Sequence, residues 1–154
     1  MSAILKQPII HFRPMSEADI DTVMAIESRA YDFPWTEGIF RDCMRIGYCC
    51  WMCEENNSVV GYAVMSIGAG ESHILNICIR PESRQYGLGR NLLTHMLDLA
   101  RDQRTEITVL EVRTSNYAAI KLYQGMGFNE VGIRKSYYPA ASGTEDAIIL
   151  ALSL

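Results

Sequence analysis

A chain of 154 residues, 49% hydrophobic and 21% charged, has the length of one domain and the balance of an ordinary globule that can bury a core. Its formal net charge of -4 supplies no basic surface for nucleic acid, and no apolar run approaches the length that spans a membrane. Because Met1-Ser2-Ala3-Ile4-Leu5-Lys6 lacks the basic start and long apolar stretch of a secretory leader, one cytoplasmic domain over 1–154 is expected.

Ile9 to Pro14 reads as a short strand closed by proline. Ser16 caps a helix with Asp19 in its first turn, and Ile20, Val23, Met24, Ile26 and Glu27 follow at the spacing of one face. Pro34 breaks that helix, and Thr36 caps a second one to about Ile46, which leaves Phe33 and Trp35 on the connection. Trp35 there either plugs the core or lines a substrate groove. Between Tyr48 and Ile67, two β-rich runs flank the turn Glu54-Glu55-Asn56-Asn57-Ser58. Cys49, Cys50 and Cys53 crowd the first run. With no paired histidines and no second cysteine pair at ligand spacing, they read as buried strand thiols, and no metal is expected.

The next strand, about Ser72 to Ile79, leads into Arg84-Gln85-Tyr86-Gly87-Leu88-Gly89 and then a helix whose Leu88, Leu92, Leu93, Met96, Leu97 and Ala100 share a face. Alternate glycines let an anion approach the backbone, and the unpaired N–H groups of the first helical turn point towards it. This stretch reads as a pyrophosphate cradle. It lacks the Lys-Ser/Thr of a P-loop and the third glycine of a dinucleotide fingerprint, which argues against a nucleoside triphosphate and NAD. A strand over Ile107 to Val112, a helix from Asn116 to about Gly125, a strand from Gly127 towards Tyr137, a polar loop over Tyr138 to Thr144 and a last strand from Ala147 complete the order βααβββαβαββ. That order implies an α/β fold with one mixed, mostly antiparallel sheet flanked by helices on both faces.

Glu111 lies in an apolar strand, on the face of Ile107 and Val109. Loss of hydration there would raise its pKa towards neutrality and suit it to act as a general base; pairing with Arg113 on the same face is the structural alternative. On the following helix Asn116, Ile120 and Tyr123 stack at i, i+4 and i+7. Tyr123 is then either a core tyrosine beside Leu122 and Phe128 or a proton donor to a leaving group of similar basicity, such as a thiolate.

Together, Arg84-x-x-Gly87-x-Gly89, Leu110-Glu111-Val112-Arg113, Ser115-Asn116, Ala119, Leu122-Tyr123 and Gly127-Phe128 resemble the signature of the GCN5-related N-acetyltransferase family over nearly the whole chain. Phe33-Pro34-Trp35-Thr36-Glu37, Tyr137-Tyr138-Pro139 and Glu145 to Ile149 further resemble its ribosomal-protein-alanine branch. The resemblance implies transfer of acetyl from acetyl-coenzyme A to the N-terminal amine of a protein, such as a ribosomal protein, with no direct role for nucleic acid, membrane or metal. It places the cofactor on the backbone of Ile77, Cys78 and Ile79, on the turn Arg84, Gln85, Tyr86, Gly87, Leu88, Gly89 and Arg90, and on Asn116. It makes Glu111 the proton acceptor and Tyr123 the donor, and sets Trp35, Tyr137 and Tyr138 at the acceptor. Tyr86 departs from the basic residue frequent in relatives. His73 is also unusual, either a second base or a solvated strand residue. Action on a lysine or small amine, or a non-catalytic coenzyme A-binding module, remains the alternative.

Overall fold

The computed structural model describes residues 8–154. The stretch Met1 to Lys6, read above for a leader, lies outside them. The elements are β1 (Ile10–Pro14), α1 (Ile20–Ala30), α2 (Glu37–Ile46), β2 (Cys49–Glu55), β3 (Ser58–Gly68), β4 (Glu71–Ile79), α3 (Leu88–Asp102), β5 (Ile107–Arg113), α4 (Tyr117–Gly125), β6 (Asn129–Ala140) and β7 (Gly143–Ser153). Their order is the expected one. The caps explain several boundaries: Thr36 Oγ1 accepts from the Ile39 N–H at 3.3 Å, and α2 ends on Gly47 in the left-handed region at φ 92°. Asn56 and Asn57, at φ 49° and 68°, turn β2 into β3, a conformation asparagine tolerates better than most residues.

The strands form one seven-stranded sheet in the order β1-β2-β3-β4-β5-β7-β6. All neighbours are antiparallel except β4 and β5. On one face α1 and α2 bury Ile20, Val23, Ile26 and Phe40 against Met52, Tyr62 and Val64 of the sheet. On the other, α3 lays Leu92, Leu93, Met96 and Leu97 over Val60, Met65 and Leu110, and Tyr123 of α4 joins that core. Removal of these side chains from water is the main stabilising term, roughly 25 cal/mol per Å² of apolar surface.

One boundary departs from the sequence reading. The segment Tyr138 to Thr144, expected as a polar loop, is mostly paired strand, with Tyr138 opposite Glu145 and Pro139 opposite Thr144. Edge position is the reason: β6 has a neighbour on one side only, so Pro139 can lack an N–H without breaking an interior ladder.

The feature that positions the site is a divergence. Parallel pairing of β4 with β5 covers only Glu71–Ile74 against Ile107–Leu110, although β4 continues to Ile79 and β5 to Arg113. The register of β4 with β3 shifts by one between Val64 and Met65, which leaves Leu75 as the extra residue of a bulge. A bulge bends its strand. Here it falls directly after the last β4–β5 pair, and beyond it a wedge opens in the middle of the sheet.

Candidate active site

Strand alternation decides which backbone groups of β4 line the wedge. The Arg80 N–H donates to Val60 O at 2.7 Å, so Cys78, two residues earlier, also directs its backbone polar groups to β3. Gly61 confirms this, because a Cβ at that position would collide with the Cys78 carbonyl oxygen. Ile77 and Ile79 therefore face the opening. Their carbonyls are already engaged, Ile77 O by the Tyr31 hydroxyl at 3.1 Å and Ile79 O by Arg84 Nε at 2.9 Å, while their N–H groups point into the wedge. Of the three strand residues expected to hold a cofactor through the backbone, Ile77 and Ile79 are placed to do so. Cys78 instead buries its thiol.

The glycine turn closes the wide end of the wedge. Gln85 at φ 71° and Gly87 at φ 79° adopt left-handed conformations that reverse the chain into α3. The first N–H donated within the helix is that of Asn91, to Gly87 O at 3.1 Å. Those of Leu88, Gly89 and Arg90 precede the helical ladder, no acidic residue stands in that turn, and the helix dipole adds positive potential. Roles within the turn are divided. Leu88 is buried in the core, Arg84 is tied to the end of β4, Arg90 is exposed, and Tyr86 is 78% exposed.

Glu111 sits one residue past the last β4–β5 pair, at the vertex of the wedge. Its side chain is only 8% exposed, and its partners are not the expected ones. Arg113 pairs with Glu145 at 3.1 Å instead, while Glu111 Oε1 lies 3.5 Å from Arg134 Nε and Oε2 lies 2.5 Å from His73 Nε2. His73 is thus no merely solvated residue, since its ring is bonded to Glu111.

Tyr123 approaches from the opposite face of the sheet. It packs beside Phe128 at a ring separation of 5.8 Å and is 7% exposed, so the core reading is correct as far as the ring is concerned. Burial, with smaller contributions from nearby Tyr138 and Cys78, raises its phenol pKa well above the ordinary value and keeps it protonated. Tyr138 neighbours both candidates: its own hydroxyl is pushed up to about 12, by burial first and then by the Glu111 charge. Tyr138 thus feels both groups electrostatically, and no hydrogen bond joins the carboxylate to the phenol. Asn116 caps α4, its Oδ1 accepting from the Ala119 N–H at 3.3 Å, which leaves the amide nitrogen available.

The acceptor side is held by side chains from distant parts of the chain. The Arg113 guanidinium lies 5.6 Å from the Phe33 ring centre and 4.5 Å from that of Tyr138, joining the α1–α2 connection to the β6–β7 hairpin. Tyr137 packs edge-on to Tyr138 at 4.9 Å and is 47% exposed. Trp35 is half-buried against Phe40 at 5.2 Å, on the second core, and the more open aromatic of that connection is Phe33.

Sequence reasoning missed Glu27. This carboxylate is 1% exposed; it accepts from the Tyr62 hydroxyl at 2.6 Å, Asn76 Nδ2 at 3.1 Å and the Trp35 N–H at 2.9 Å. It pins the α1–α2 connection to β3 and β4. A signal was present, since Glu27 follows Ile20 and Val23 on the apolar stripe of α1, where a carboxylate must find donors. Of the three cysteines expected as buried strand thiols, Cys50 and Cys53 are buried, and burial pushes them up to about 12 and about 11, while Cys49 is only half-buried. Among the described residues, no three His, Cys, Asp or Glu side chains gather as a metal site.

Comparison with known proteins agrees with this geometry. A model of the acetyltransferase (GNAT) family matches residues 20–128. The [Ribosomal protein bS18]-alanine N-acetyltransferase of Escherichia coli strain K12 is 38% identical over 140 residues, covering 91% of this chain and 95% of that protein. Its namesake in Haemophilus influenzae is 35% identical over 137 residues, covering 88% and 93%. The crystal structure of the ribosomal-protein-S18-alanine N-acetyltransferase from Escherichia coli superposes with a TM-score of 0.88 at 36% identity, covering 94% of both chains. A split central sheet, an anion-ready helix start after β4 and a family match across most of the chain lead to one conclusion: this protein belongs to the GNAT family of acetyltransferases.

Proposed function

We propose that the protein transfers acetyl from acetyl-coenzyme A to the N-terminal α-amine of a protein, with the N-terminal alanine of a small-subunit ribosomal protein as its acceptor in the cytoplasm. The observation that carries this reading is the wedge, which has backbone donors along one edge, an anion cradle at its wide end and a shielded carboxylate at its vertex. The acceptor comes from the relatives named above, alanine N-acetyltransferases of ribosomal protein bS18.

The cofactor fits groups that have no other use in the fold. The N–H groups of Leu88, Gly89 and Arg90 suit a pyrophosphate, those of Ile77 and Ile79 suit an extended amide-bearing arm laid along β4 as an added strand, and Asn116 offers its free amide nitrogen. Arg84, Gln85, Tyr86 and Gly87 shape the turn. When bound, acetyl-coenzyme A supplies an acetyl group activated as a thioester. All further steps belong to the protein. An N-terminal ammonium, with a pKa of roughly 7.7–8.0, must lose a proton before it can attack, and Glu111 accepts it, directly or through a water. The Ile77 and Ile79 N–H groups offer hydrogen bonds to the carbonyl oxygen as it gains charge. Tyr123, kept protonated by burial, gives its proton to the departing thiolate as the C–S bond breaks, and the second proton that the acetylated nitrogen must shed returns to the Tyr123 phenolate. Phe33, Trp35, Tyr137 and Tyr138 receive the acceptor's first residues.

An acceptor comparison tests the reading. An Ala-starting peptide should be acetylated, and the same peptide with a blocked N-terminus and an internal lysine should not; the reverse preference would move the activity to lysine. No turnover of any amine would reduce the protein to a coenzyme A-binding module.

A further inference from the structure

We infer that His73 is a positioning residue for Glu111, its imidazole Nε2–H holding in place the carboxylate that works as the proton acceptor. The inference rests on the assignment of Glu111 as base and adds a residue to it. Three observations carry it. His73 Nε2 lies 2.5 Å from Glu111 Oε2, the shortest polar contact that Glu111 makes. The pairing of β4 and β5 fixes both ends, since His73 is opposite Val109 in the last parallel stretch before the wedge and Glu111 follows two residues later on the same face. Exposure is unequal: the Glu111 side chain is 8% exposed, whereas that of His73 is 31% exposed and lines an open groove of about 370 Å³ with Tyr48, Ser66, Ile67, Gly68 and Glu71.

A carboxylate oxygen can only accept, so the hydrogen of this contact resides on Nε2, and Nδ1 is left to solvent in the groove. That hydrogen bond occupies Oε2 and fixes the plane of the carboxylate. Oε1, with only the longer Arg134 contact, remains the oxygen that takes the amine's proton. The ionisable or charged groups around the imidazole are Glu111 from β5, Arg134 from β6 beyond it, Glu71 from its own strand and Tyr48 ahead of β2; its cross-strand partner Ser66 does not titrate.

Initial rates with an Ala-starting peptide across the neutral to mildly alkaline range decide the matter for His73→Leu, His73→Gln and Glu111→Gln. His73→Leu should lower kcat about tenfold with the KM for acetyl-coenzyme A unchanged. His73→Gln keeps an amide donor for Oε2 and should recover most of kcat. A wild-type kcat in His73→Leu, or a kcat in His73→Gln as low as in His73→Leu, would overturn the inference; should His73→Leu unfold, His73→Asn, whose shorter amide falls short of Oε2, takes its place. Full activity in Glu111→Gln would remove the base assignment itself, whereas an inactive Glu111→Gln beside a silent His73 would overturn only the role given to histidine.

Discussion

The two sides of the wedge are made of different materials. On the proposed cofactor side the recognition groups would be main-chain N–H groups, those of Ile77 and Ile79 and those of the first turn of α3, held by a bulge, a left-handed glycine and a helix start. On the proposed acceptor side they would be side chains assembled over long sequence distances, Arg113 with Phe33, Tyr138 and Glu145 and Glu111 with His73 and Arg134, with buried Glu27 pinning the α1–α2 connection beneath them through Trp35, Tyr62 and Asn76. A backbone site tolerates much side-chain change and serves a constant ligand. A side-chain site can be retuned residue by residue, which suits a variable acceptor.

If this contrast holds, substitutions on the two sides should fail differently. Glu27→Ala should have the largest effect on folding. It strands three donors in the core, and a cost of about 3 kcal/mol is expected, a fall in melting temperature on the order of 6–12 °C for a chain of this length. A shift near zero would mean that water replaces the carboxylate and that the α1–α2 connection is held otherwise. Tyr123→Phe should slow kcat by about 100-fold while calorimetry shows acetyl-coenzyme A binding retained; an unchanged kcat would return Tyr123 to a packing role. Gly87→Ala should act on the other side. A side chain at φ 79° costs about 1 kcal/mol, and the distorted turn should raise the KM for acetyl-coenzyme A several-fold with little effect on the KM for peptide. An equal rise in both would erase the distinction between the two sides.

The smallest effect concerns acid. Hydrogen bonds from Ser115, with help from Arg113 and Thr114, lower the Glu145 pKa from 4.5 to about 2. A carboxyl depressed in the folded state adds stability above its unfolded pKa and loses it as pH falls towards the folded value. Its contribution is therefore complete above about 4.5 and fades towards 2. Acid unfolding followed by tryptophan fluorescence should be shallower over that interval in Glu145→Gln, and an unchanged curve would mean that the hairpin anchor is not coupled to stability.

The same division explains what could be read from the amino-acid sequence. The order of elements, the glycine turn and the alternation that put Glu111 on its face depend on near neighbours, and the structure contains them. The partners of Glu111 do not. Arg113, two residues away, was the natural counter-ion to expect, but β7 pairs with β5 and β6 pairs with β7, so that Arg134 on β6 reaches the carboxylate across β7. His73 required the parallel register of β4 with β5, which no local pattern encodes. The extension of β6 through Pro139 was hidden because proline and small polar residues signal a loop unless the strand is known to be an edge. Glu27 left a trace in the stripe of α1, but its three donors come from three other segments of the chain.

The assignment of Glu111 as the proton acceptor on the acceptor side is tested most directly by Glu111→Gln, a near-isosteric change that removes only the basic oxygen. Initial rates of acetylation of an Ala-starting peptide should be compared with those of the wild type across the pH range spanning the amine's titration. The expected result is a kcat lower by about 100-fold or more, with the deficit deepest at low pH, where most of the amine arrives protonated, and with acetyl-coenzyme A binding unchanged. A variant matching the wild type in rate and pH profile would contradict it.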